Sequence, residues 1–212
     1  MNTKIVIVDT DGSLQKYRRR VRSICRNCIG KVERYLTVDG VGIVVVADPN
    51  RVVPGQCVGG KSFSERYLLI YLDPTKRDFL RKLADQLPVT LAHELHHAAR
   101  RKVVGYGRTL LEAMITEGLA IHFSVMVTGS ALPRYAMALN SEELSVWRQK
   151  LARDWNNEHY DHALWFFGSQ ELKVPRWTGY TVGYTLVNDF LERNPNLTEK
   201  ELLAMPAGEF VK

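Results

Sequence analysis

The chain has 212 residues, 45% apolar and 25% charged, with three cysteines and a net charge of +6. That is enough for one domain with a substantial core or two small lobes around a cleft, and it excludes a disordered, low-complexity or repetitive chain. An odd cysteine count argues against a secreted disulfide framework. No membrane partner is expected, because the longest strongly apolar run, Val41 to Ala47, falls far short of the roughly 20 residues that a span requires. Four apolar residues before Asp9 are too few for a leader, and a cytoplasmic location is the expectation.

Residues 4 to 8, Lys-Ile-Val-Ile-Val, read as a buried strand. Asp9-Thr10-Asp11-Gly12 then resembles the DxDG nucleophile motif of haloacid-dehalogenase-like phosphatases. The other motifs of that family do not follow in recognisable order, and Asp-Gly is also a common turn after a strand. From Leu14 to Leu36, the apolar residues Leu14, Tyr17, Val21, Ile24, Cys28, Val32 and Tyr35 recur every three or four positions, which predicts a long amphipathic helix. Its polar side carries Arg18, Arg19, Arg20, Arg22 and Arg26, the source of most of the net charge. Such a helix can meet nucleic acid or another acidic surface, although a solvated face is the plainer reading. Cys25 and Cys28 form a lone CxxC on or beside the apolar stripe, so packed thiols are expected rather than half a metal site.

Val41 to Ala47 predicts a second strand, Arg51 to Val58 a short hairpin arm, and Tyr67 to Leu72 another strand. Phe79, Leu80, Leu83 and Leu87 mark a helix backing the next one, which is predicted to start at Pro88 and contains His93-Glu94-Leu95-His96-His97. On a helix, residues four apart lie on one face, so His93 and His97 can offer two imidazole nitrogens to one metal ion. Glu94 sits beside that face, within reach of a water on the metal without being a ligand. This is the signature of a zinc hydrolase, with Glu94 as general base.

A catalytic zinc site needs a third protein ligand. After a turn at Gly105-Tyr106-Gly107, the next helix offers Glu112 and Glu117. Thr109 and Glu112 have the spacing of a capping box, which gives Glu112 a structural task and leaves Glu117 as the better ligand. Farther on, Asn140 to Glu143 and Thr198 to Glu201 are helix caps. His162, Tyr180 and Tyr184, with Tyr160, are the donors available to stabilise an oxyanion, and Tyr180 and Tyr184 share a helix face. Equally, these rings and those of Trp165, Phe166, Phe167 and Trp177 suit an aromatic core.

The pattern His93-Glu94-x-x-His97, nineteen residues, then Glu117-Gly118-Leu119-Ala120 resembles the gluzincin arrangement of thermolysin-like and aminopeptidase N-like zinc peptidases. More closely, the run from His93 to Glu117 is similar to a bacterial family of predicted zinc-dependent proteases. Tyr160-Asp161-His162, Trp165 to Gly168 and Gly179 to Tyr184 share in that likeness, which covers roughly residues 60 to 212. The resemblance implies a peptidase holding Zn2+ on His93, His97 and Glu117 and acting on a peptide or protein substrate. Gluzincins often carry an Asp four residues after the glutamate ligand, where this chain has Ile121, so Asp161 is considered as a substitute orienting group. Architectures of this kind often hold an extended substrate along an edge strand, and residues 67 to 72 are the candidate, against a plain core strand.

The expected fold is α+β and zincin-like, a single domain over 1–212. A small N-terminal sheet with helices (1–104) is followed by a mostly helical lobe (105–212), with the active-site helix in the cleft between them. Two rival readings are a nucleic-acid-associated protein using the Arg18 to Arg26 helix and a noncatalytic zinc-binding module.

Overall fold

Four short segments, three of them rich in Val, Ile and Leu, pair into one mixed sheet: β1 (Lys4–Val8), β2 (Gly42–Ala47), β3 (Val58–Ser62) and β4 (Tyr67–Leu72), in the order β1-β2-β4-β3. β1, β2 and β4 run parallel, and β3 is antiparallel to β4. Side chains alternate across a strand, so the register decides which residues share a face. Ile7 lies beside Val45, Ile43 beside Leu68 and Val45 beside Ile70, and all of these are buried. On the opposite face Val6, Val8 and Tyr67 are exposed. β1 is therefore an edge strand buried on one side only, a correction to the fully buried strand its composition suggests. The computed structural model describes residues 3–105 and 107–212, and the turn residue Tyr106 lies outside them.

The helix α1 (Arg18–Val32) buries Val21, Ile24, Cys25, Cys28, Ile29 and Val32, the stripe predicted by the periodicity. Both helical thiols are free and buried, and loss of solvent pushes each up to about 12. Cys28 Sγ donates to the Pro88 carbonyl at 3.3 Å. The double replacement Cys25→Ser, Cys28→Ser should leave zinc stoichiometry unchanged and lower the melting temperature by about 2–8 °C, from roughly 1–2 kcal/mol of poorly matched buried hydroxyls. Calorimetry and metal analysis of that variant check both points.

The metal-motif helix is longer than expected. α2 runs unbroken from Phe79 to Val104, with Pro88 inside it. The separate backing helix read from Phe79 to Leu87 is its first half. Pro88 removes one intrahelical N–H, but its fixed φ is helical. Leu83, Leu87, Leu91 and Leu95, all fully buried, continue one apolar stripe across it. Burial of that stripe outweighs the single lost hydrogen bond.

The chain divides into two compact units, Met1–Val103 with Phe123–Ser130 and Val104–His122 with Ala131–Lys212. The second is helical: most of α3 (Leu110–Thr128), then α4 (Ser141–Ala152), α5 (His162–Phe167), α6 (Thr178–Arg193) and α7 (Glu199–Ala204). Its core contains Met114, Ile115, Leu119, Leu151, Phe166, Val182, Leu186, Phe190 and Phe210. α3 and α6 cross at two glycines: a Cβ at Gly183 would overlap the Met114 carbonyl, and one at Gly118 the Gly183 carbonyl. Capping boxes start α4 at Asn140 and Glu143 and α7 at Thr198 and Glu201, as the sequence predicts. α3 is long and apolar enough to cross a membrane by length and composition, with 61% of that window buried in the protein. Glu112, Glu117 and His122 interrupt it, so it holds no long unbroken apolar run.

The architecture is thus α+β, mostly helical with one small mixed sheet.

Candidate metal centre

In the first unit, α2 turns His93 and His97 toward each other. Their Nε2 atoms are 2.9 Å apart and their rings nearly perpendicular, with centroids 4.5 Å apart. Both are buried, at 8% and 9% exposure, so water does not satisfy them freely. Glu94 is equally buried, and the backbone N–H of Ser62 donates to its Oε2 at 2.6 Å. The adjoining strand is pressed close, since a Cβ at Gly60 would stand 2.6 Å from Glu94 Cγ and 2.8 Å from Thr90 Cγ2. Only glycine allows β3 to lie this near the helix.

The two carboxylates of α3 have separate surroundings. Glu112 Oε2 accepts from the N–H groups of Arg108 and Thr109 at 2.7 and 2.8 Å, while Thr109 Oγ1 accepts from Glu112 N–H at 3.2 Å. That is the predicted capping box. Glu117 offers a carboxylate oxygen that lies, with one ring nitrogen each from His93 and His97, in a group whose atoms are all within 4.8 Å of one another.

The aromatic residues are engaged within the second unit. The Tyr184 ring stacks on His122 at 4.7 Å and 16°. Burial and the charge of Glu192 raise the Tyr184 hydroxyl above its ordinary value, which keeps it a protonated donor near neutral pH. Tyr180 packs edge-on to Phe166 at 5.0 Å, and His162 stacks on the same ring at 4.3 Å with its Nδ1 3.5 Å from the Tyr160 hydroxyl. Asp161, considered as an orienting group for a metal histidine, caps α5 by accepting from the Leu164 N–H.

A family model described as Predicted Zn-dependent protease (DUF2268) matches residues 21–212. The chain belongs to this family. The curated proteins contain no match, and the solved structures contain none either. The predicted zinc-dependent protease region therefore includes both metal-motif helices and starts after the DxDG turn. In that turn Asp9 has structural partners: its Oδ1 accepts from Leu14 N–H at 3.0 Å and its Oδ2 lies 3.7 Å from the Arg18 guanidinium.

The donor set suits zinc, the metal of the family's description. Two imidazoles and one carboxylate are a donor set that would hold zinc. Tetrahedral zinc holds two nitrogens roughly 3.3 Å apart, against 2.9 Å here, so the pair has to open only slightly to accept the ion. Ser62 and Gly60 are the site features that sequence reading missed. A Gly-Gly pair in a strand signals a close backbone approach but does not say to what.

Proposed function

We propose that this chain is a zinc-dependent peptidase in which His93, His97 and Glu117 hold the metal and Glu94 is the general base. The observation that supports this reading is that donor atoms of His93, His97 and Glu117 lie within 4.8 Å of one another, while the adjacent Glu94 carboxylate accepts from a backbone N–H of β3. Zinc, when bound, supplies Lewis acidity toward the scissile carbonyl and makes water a stronger acid. Glu94 takes the proton from water and later delivers it to the leaving nitrogen, so no covalent acyl intermediate is required. The Ser62 N–H fixes the Glu94 carboxylate through its Oε2. Tyr184, Tyr180 and His162 are the groups proposed to donate to the developing oxyanion.

The substrate strand is reassigned. β4 pairs on both sides, with β2 and β3, so residues 67–72 have no free edge; β3 is the edge strand beside it. Asp73 N–H bonds the Cys57 carbonyl and Phe63 N–H the Tyr67 carbonyl. By the alternation of an antiparallel pair, Val58, Gly60 and Ser62 therefore turn their backbone groups away from β4. Ser62 N–H points to Glu94, and Gly60 two residues earlier presents its N–H and C=O for pairing with an extended peptide. Gly60→Ala should lower kcat by about 10–100-fold with zinc content unchanged, because the new methyl displaces Glu94. Steady-state kinetics beside metal analysis checks this, and a wild-type kcat would remove the strand from the mechanism.

The deciding experiment is digestion of a peptide library by the purified protein, with its metal content measured before and after a chelator. Cleavage that stops with zinc removal and returns with zinc supports the reading. Stoichiometric zinc with no cleavage of any peptide would replace it with a noncatalytic zinc module.

A further inference from the structure

The net positive charge of this protein resides in one segment. Lys16 to Lys31 contains seven cations and no acid, and the remaining chain carries 22 cations against 23 acids. Arg18 is committed to Asp9 and to the Ile7 carbonyl. Arg19, Arg20, Arg26 and Lys31 are exposed and Arg22 is half-buried; among the described residues none of the five is in an ion pair.

Their order around α1 is not random. At 100° per residue, Arg19, Arg22 and Arg26 fall within about 60° of one another, and Arg20 and Lys31 within about 20°. Between these two rails lie Ser23, Asn27 and Gly30, all short. The result is a shallow polar floor with cations along both sides. The opposite stripe is buried, so α1 has no apolar face left to enter a bilayer. Through Cys28 and Pro88 that buried side meets α2, and the cationic rails face the other way.

We propose that the outer face of α1 binds the phosphate backbone of a double-stranded nucleic acid without reading its sequence. Charge density selects this partner. From Arg19 to Lys31 the helix spans about 18 Å, over which a duplex presents about ten phosphates and an extended acidic peptide at most about five carboxylates. Guanidinium groups match phosphate geometry, and four of the five cations are arginines. The face carries no aromatic side chain and one amide, the short Asn27, and its cations are assigned to backbone phosphates. DNA and RNA share that chemistry.

The test is fluorescence anisotropy of the full-length protein with a labelled DNA duplex and an RNA duplex of the same sequence, from about 50 to 200 mM salt. With five phosphates neutralised, affinity should fall several hundred-fold over that range, a log–log slope of about −4.5. The variant Arg19→Glu, Arg22→Glu, Arg26→Glu should lose at least about a hundred-fold at low salt and flatten the slope to about −2, with zinc content and melting temperature unchanged. Arg20→Gln with Lys31→Gln, a milder change on the other rail, should flatten it by about 2. Whichever duplex binds tighter names the source of the phosphates. Absence of duplex binding, indifference to both variants, or equal binding through the same arginines to phosphatidylserine vesicles or polyglutamate would overturn the proposal.

Discussion

Glu94→Gln is expected to reduce peptide hydrolysis by about three orders of magnitude or more while zinc stays bound at full stoichiometry. An amide has nearly the shape of the carboxylate and can still accept from Ser62 N–H through its carbonyl oxygen, so the buried position keeps its hydrogen bond. What it cannot do is accept a proton from water. The three residues proposed as ligands are untouched, which separates this variant from any that acts by losing the metal. Turnover measured together with zinc content decides the point. Activity within tenfold of wild type would remove Glu94 from the mechanism, and loss of zinc would show that it belongs to the ligand set.

The second large effect distinguishes the two carboxylates of α3. Glu117→Ala should weaken zinc binding by about two orders of magnitude or more, because the site loses its one anionic ligand and two neutral imidazoles remain. Glu112→Ala should keep zinc and lose about 0.5–2 kcal/mol of stability, because two backbone N–H groups at the start of the helix lose their acceptor. Zinc retained after dialysis and the melting temperature, read on both variants, give opposite signatures. Metal loss from Glu112→Ala with zinc retained in Glu117→Ala would mean that the cap and the ligand have been exchanged.

Much of this was legible along the chain. His93, Glu94 and His97 share a helical spacing that any helix containing them must respect, so their relation was fixed before the helix was placed. The Thr109 and Glu112 pair is equally local, which is why the structure shows the predicted cap. The apolar stripe of α1 and the capping boxes of α4 and α7 belong to the same class of short-range pattern.

Features decided by distant contacts were misread or unseen. Pro88 looked like a helix start because the local rule disfavours proline inside a helix. Whether α2 continued depended on the burial of Leu83 and Leu87 beside Leu91 and Leu95, a tertiary quantity. The edge of the sheet depended likewise on strand order: β4 has the composition of either an edge or a centre, and only its pairing with both β2 and β3 shows which. The grip of Ser62 N–H on Glu94 joins residues 32 positions apart through a backbone atom, which every residue type except proline possesses. The sequence by itself therefore determined the chemical identities and the helical spacing of the proposed metal and base residues. Strand order, the length of α2 and the hydrogen bond that holds Glu94 were decided by tertiary structure, because each depends on which distant surfaces are buried together.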